Sequence, residues 1–178
     1  MPLTVSTNLV SPTSQNISFY DIACRNLEGQ PIKLSDYNDH LILVVNIASG
    51  CGYVKQLGAL QSLYKTYKDQ KFIVIAVPSN QFYQESLNNP EIGEFCKRNY
   101  GVSFPILAKT DLNGKNRHPL YTYLLENAPK GQQMNIRWNY EKFLIEPKGK
   151  VTKRFSSSTQ PQAIETYIQE FHQKQKKN

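Results

Sequence analysis

The sequence predicts an α/β domain with a central mixed β-sheet flanked by helices, and three stretches carry that prediction. Residues 41–49, LILVVNIAS, and residues 72–77, FIVIAV, are unbroken apolar runs. They are too short to span a membrane and rich in β-branched side chains, the signature of strands buried on both faces of a sheet. Between them, Leu57, Leu60, Leu63, Tyr64 and Tyr67 recur at helical spacing, which predicts an amphipathic helix over 55–68 whose aromatics are core. Strand, helix and strand in this order imply a right-handed crossover to a parallel neighbour. The second strand therefore ends beside the residues that follow the first.

The remaining elements read in order around this unit. Residues 1–16 are rich in Ser, Thr and Asn and read as a mobile leader. Residues 17–24 and 31–34 are short strand candidates around a turn at 26–29. After the second long strand, residues 78–82 form a polar loop at the same sheet edge as residue 51. Asn89 as cap, Pro90 at the first position and Glu91 in the first turn predict a helix carrying Ile92, Phe95 and Cys96 and stopping by Gly101. Residues 104–108 read as a strand and 118–126 as a helix. Residues 142–146 and 151–155 read as a hairpin across 147–150, and 162–172 as a closing helix. This makes one domain over 17–173, with a basic tail at 174–178.

Composition narrows the function classes. A chain of 178 residues is long enough for one substantial core. The formal charge of +7 comes from scattered Lys and Arg, a generally basic surface with no recognition motif, so nucleic acid is not an expected partner. Three unclustered cysteines, Cys24, Cys51 and Cys96, argue against a disulfide-stapled secreted scaffold. No segment reaches transmembrane length, and the first residues lack the basic and apolar regions of a signal peptide. A cytoplasmic location is the expectation. His40, His118 and His172 share no ligand spacing with each other or with the cysteines, so no metal is expected.

Cys51 stands between Gly50 and Gly52 where the first long strand gives way to the helix. Flanking glycines let the backbone bend and leave the thiol uncovered, and a helix N-terminus beyond it favours a thiolate. The competing reading is a buried structural cysteine. The reactive reading leads because open α/β sheets place their chemistry at strand ends.

Three separated pieces, VNIASGCG at 45–52, VPSNQF at 77–82 and RWNYEKFL at 137–144, together resemble the glutathione peroxidase family. GKNRHPLYTYLLENAP and EKFLIEPKGKVTKRF extend the likeness, which spans about residues 21–161. The resemblance implies a thioredoxin-like fold and cofactor-free reduction of hydrogen peroxide and organic or lipid hydroperoxides. It places the family's tetrad on Cys51, Gln81, Trp138 and Asn139. Amide and indole N–H groups are neutral donors able to stabilise a charged sulfur. In the family's thioredoxin-dependent members a resolving cysteine lies on the helix after the NQF loop, and Cys96 matches it. A disulfide needs Cα atoms within about 7 Å, so a helical Cys96 implies local unwinding.

The chain also departs from the family pattern. Gly50 replaces the usual Lys before the cysteine, Tyr53, Val54 and Lys55 replace Phe-Thr-Pro, and Ser79 replaces a Cys. The loop after Phe82 is shortened to Tyr83-Gln84-Glu85-Ser86. Val54 stands where a thioredoxin has its second cysteine, against a simple dithiol carrier. The short stretch between Asn127 and Asn135 resembles the small monomeric branch, and glutathione-binding arginines have no counterpart. The expected function is a thiol peroxidase recycled by thioredoxin. A redox sensor or relay passing its disulfide to a partner, and direct reduction by glutathione, are the alternatives.

Overall fold

The apolar run after His40 forms strand β3 (Leu41–Ile47), buried along its whole length in a computed structural model that describes residues 17–177. The leader assigned to residues 1–16 lies outside the described residues. Before β3 come two short strands, β1 (Ala23–Arg25) and β2 (Pro31–Lys33), paired as a small antiparallel ribbon. After it follow helix α1 (Gln56–Tyr67), strand β4 (Phe72–Pro78), helices α2 (Asn89–Tyr100) and α3 (Pro119–Glu126), strands β5 (Lys142–Glu146) and β6 (Lys150–Phe155), and helix α4 (Pro161–Lys176).

The main sheet has the order β4-β3-β5-β6. β4 runs parallel to β3, as the crossover through α1 requires, while β5 runs antiparallel to β3 and β6 to β5. This is the mixed sheet of the thioredoxin-like fold. Side chains alternate between its faces with the strand period of two. Leu41, Leu43, Val45 and Ile47 of β3 join Leu57, Leu60 and Leu63 of α1, Ile92 of α2, and Ile164 and Ile168 of α4. Ile42 and Val44 face Leu120, Tyr121 and Leu124 of α3, with Phe19 and Cys24. The sheet therefore puts Cys51 and Cys96 in one core layer and Cys24 in the other.

Four expectations change. Residues 17–24 form a short 3-10 turn at Phe19–Asp21 and the three-residue β1, not one strand. Residues 104–108 form only isolated bridges, Ile106 to Ala76 of β4 and Leu107 to Asn26 beside the β1-β2 ribbon. Pro105 lacks the N–H that a continuous ladder needs there. Asn88, not Asn89, caps α2, because a capping box needs its acid three residues on, and that acid is Glu91. The closing helix runs on through Lys174 to Lys176, so most of the expected tail is helical. Cations in a last helical turn face the negative end of the helix dipole.

Candidate active site

Cys51 follows β3 directly, and its turn is stitched down on two sides. The Gly50 N–H donates to the Gln84 carbonyl at 2.9 Å. A Cβ at position 50 would lie 2.8 Å from that oxygen, so the backbone approach demands glycine. Neither Gly50 nor Gly52 has a positive φ. The expected reason for the glycines was a bend and an uncovered thiol, yet Cys51 is only 3 % exposed. The glycine at 50 serves close packing of the shortened loop. Cys51 Sγ accepts the Tyr53 N–H at 3.5 Å.

The segment after Phe82 links the neighbouring pieces. Glu85 is wholly buried, and its carboxylate accepts the Ser49 N–H at 2.8 Å and the Ser49 hydroxyl at 2.7 Å. The Gln84 side-chain carbonyl accepts Asn139 Nδ2–H at 2.9 Å. Turn, loop and Asn139 thus form one hydrogen-bonded unit.

Residues 137–141 arrive from the other side. Asn46, at the end of β3, donates from Nδ2 to the Trp138 carbonyl at 3.0 Å, and its own carbonyl accepts the Tyr140 N–H at 2.6 Å. The Tyr140 hydroxyl donates to the Ala48 carbonyl at 3.1 Å. Glu141 accepts the Arg137 N–H at 2.5 Å and the Trp138 N–H at 3.3 Å on one oxygen, and pairs with Arg154 at 2.7 Å through the other. Arg154 also donates to the carbonyls of Gln132, Met134 and Asn135. This buried fork fixes the approach of the Trp138 loop. Trp138 itself is 39 % exposed and lies against Phe82, with ring centres 5.4 Å apart.

Gln81 lies beyond this ring pair. Its Oε1 accepts the N–H groups of Leu112 and Asn113 at 2.6 and 2.8 Å, and its Nε2 donates to the Asn113 carbonyl at 3.1 Å. Asn113 in turn exchanges two hydrogen bonds with Ile136. Gln81 thereby braces the chain that leads to Trp138. None of the hydrogen bonds found among the described residues joins Gln81, Trp138 or Asn139 to the Cys51 sulfur. Gln81 Nε2 and Asn139 Nδ2 each carry two hydrogens and use one, so each keeps a donor to spare.

Cys96, on α2, is 1 % exposed. Burial and then the Glu85 carboxylate push its thiol up to about 12, and burial pushes Cys24 up to about 11. Tyr140 shares the core layer of Cys51 and Cys96, and its phenol is raised by burial first and then by the nearness of both thiols. All three cysteines are free thiols. No group of three or more potential metal ligands gathers among the described residues.

A cysteine just past the end of the central strand of a thioredoxin-like sheet, in a turn tied through Gln84 to Asn139, is the framework of a candidate thiol-redox site. The chain belongs to the glutathione peroxidase family: the family model for glutathione peroxidase matches residues 19–125. The glutathione peroxidase homolog BsaA of Halalkalibacterium halodurans is 47% identical over 155 residues, covering 86% of this chain and 99% of that one. Glutathione peroxidase-like peroxiredoxin 2 of Saccharomyces cerevisiae is 43% identical, covering 85% and 95%. The crystal structure of T. cruzi GPX1 superposes with a TM-score of 0.69 at 33% identity, covering 86% and 95%.

The reading of the sequence singled out Cys51, and the family resemblance added Gln81, Trp138, Asn139 and Cys96 as expected site residues. Neither identified Asn46, Gln84, Glu85, Glu141 or Arg154, which hold the site's loops. The capping-box spacing from Asn88 to Glu91 was available in the sequence, but nothing in a linear reading marks Glu85 as buried.

Proposed function

We propose that the chain is a thiol peroxidase that reduces hydrogen peroxide and organic or lipid hydroperoxides through Cys51, resolves through Cys96, and is recycled by thioredoxin. The observation that carries this reading is that Cys51, Cys96 and Tyr140 share one core layer, while the sheet sets Cys24 apart. Membership of the glutathione peroxidase family supports the choice of substrate, and relatives named as peroxiredoxins support a protein-thiol cycle.

In the first step the Cys51 thiolate attacks one peroxide oxygen. An S–O bond forms, the O–O bond breaks, and the departing alkoxide or hydroxide takes a proton to leave as alcohol or water. Sulfur is oxidised by two electrons to the sulfenic acid. The spare N–H groups of Gln81 and Asn139 and the indole N–H of Trp138 are the donors for the thiolate and the leaving oxygen. They are neutral, so no second ion is buried with the sulfur.

In the second step α2 unwinds locally and the Cys96 thiolate attacks the sulfenic sulfur. An S–S bond forms, the S–O bond breaks and hydroxide leaves as water. A dithiol such as thioredoxin then exchanges with the disulfide and restores both thiols. Such a cycle suits a monomer in a reducing compartment such as the cytoplasm. Among the described residues no helix is long and apolar enough to cross a membrane.

The test is steady-state NADPH consumption with thioredoxin and thioredoxin reductase, set against glutathione and glutathione reductase on the same peroxide. Turnover with thioredoxin that is lost in Cys51→Ser is the expected result. Equal turnover in a folded Cys51→Ser protein would refute the assignment, and turnover with glutathione alone would replace thioredoxin as the reductant.

A further inference from the structure

Glu85 is a buried carboxylate that the cycle above leaves without a part, and its hydrogen-bond partners include no cation. One oxygen accepts the Ser49 N–H at 2.8 Å, and the other accepts the Ser49 hydroxyl at 2.7 Å and, more weakly, the Leu87 N–H at 3.4 Å. Its own N–H donates to Asn80 Oδ1 at 3.0 Å. One residue therefore joins the position two before Cys51, the loop that carries Gln81, and the first residues leading into α2. Hydrogen bonds to an ionised acceptor are among the stronger ones in proteins, and a buried carboxylate that loses them has nothing to replace them. The tie is accordingly either made or broken as a unit.

Helix α2 buries only a narrow face. Ile92 and Cys96 are its buried residues. Its entry is fixed by Glu85 and by Lys109, whose N–H meets Asn89 Oδ1 at 2.9 Å and whose Nζ meets the Leu87 carbonyl at 2.7 Å. Its exit is fixed by Gln61 and Ser103, which exchange hydrogen bonds of 2.8 and 2.9 Å. Cys96 sits on a helix with a two-residue fully buried face, flanked by the half-buried Phe95 and Tyr100, with its own Asn88–Glu91 capping box and a polar clasp at each end, the first of which is tied to the Cys51 turn.

We propose that Glu85 is a positioning residue with opposite effects on the two halves of the cycle: it holds the Cys51 turn in place for attack on peroxide and restrains the opening of α2 through which Cys96 reaches Cys51. This deepens the Cys51–Cys96 reading and rests on it. Glu85 also adds to the burial that keeps Cys96 protonated, so opening both moves Cys96 and frees it to ionise. A closed form in which Cys96 stays buried and protonated keeps the two steps in order.

The test compares Glu85→Ala, Glu85→Gln and Ser49→Ala in the full chain, with the rates of Cys51 oxidation and of disulfide formation measured separately by rapid quench. Glu85→Ala should slow oxidation about tenfold and speed disulfide formation about tenfold, the loss of roughly one charge-assisted hydrogen bond from the closed form. Ser49→Ala should move both rates in the same directions by less. In Glu85→Gln the amide still accepts the Ser49 N–H and donates to the Ser49 hydroxyl but no longer accepts the Leu87 N–H, so the oxidation rate should return to within about threefold of wild type while disulfide formation stays faster than wild type but slower than in Glu85→Ala. Hydrogen exchange of the reduced protein provides a readout without chemistry: α2 amides should lose protection in Glu85→Ala while β3 and β4 keep theirs. A merely structural residue would slow both steps together, and that result, or unchanged α2 protection, would overturn the proposal. Absence of a Cys51–Cys96 disulfide in the wild-type chain would instead overturn the catalytic reading and, with it, the second half of the proposal.

Discussion

At Gly50 the missing side chain is what the neighbouring loop needs, because the Gln84 carbonyl occupies the space a Cβ would take. Gly50→Ala should therefore cost about 1–3 kcal/mol, the usual range for overpacking a tight site. A urea midpoint equal to wild type would contradict the close approach. The two silent thiols make a second prediction at this scale. Cys96 holds its proton to about 12 and Cys24 to about 11 in the fold, whereas a free cysteine ionises near 9.0. Above pH 9 the unfolded chain then binds fewer protons than the native one, so stability is full below that pH and falls as pH rises toward 12. Urea midpoints of the reduced protein at pH 8 and 10.5 should show the fall, and Cys96→Ala should make it shallower. An unchanged slope in that variant would mean that Cys96 ionises freely in the fold. The site was legible in the sequence only where residue type carries chemistry. A cysteine between glycines, an NQF triplet and a Trp-Asn pair stand out, but Glu85 in a polar loop looks like any solvated acid until its partners are seen.

The segment from Arg137 to Glu141 is held from beneath by a buried ion pair. Glu141→Gln would leave Arg154 without its countercharge, and breaking such a pair typically costs about 3–5 kcal/mol. Because Glu141 also accepts the Arg137 and Trp138 N–H groups, the variant should loosen Trp138 from Phe82. The protein has one tryptophan, so a red-shifted emission reports that loosening directly. Unshifted emission with unchanged stability would show that the fork does not position the loop. Elements with strong periodicity were readable in advance: β3, α1, β4, α3 and the β5-β6 hairpin fall within a few residues of their expected places. Those that depend on partners were not. Ile106 bridges Ala76 of β4 and Leu107 bridges Asn26 beside the ribbon, pairings no linear pattern in 104–108 shows, although Pro105 itself marks the run as a poor strand. The bulge in β6, where Thr152 is the extra residue between the partners of Leu144 and Ile145, is likewise set by pairing.

Across the whole molecule the sheet is a partition between thiols. Cys24 packs with Phe19 and α3 on one face, while Cys51 and Cys96 share the other with α1 and α2. A direct Cys51–Cys24 bridge would have to pass β3 and β4, the most deeply buried strands. The partition was present in the sequence only as strand order and alternation, and became a statement about cysteines once α2 and the β1-β2 ribbon were placed on opposite faces. It gives the catalytic account its most direct test: the reduced protein is treated with one equivalent of peroxide, blocked, digested without reductant and mapped by mass spectrometry. The account predicts a peptide pair joined through Cys51 and Cys96 with Cys24 recovered as the blocked thiol. A Cys51–Cys24 pair, or full oxidation of Cys51 with no intramolecular disulfide, would contradict it.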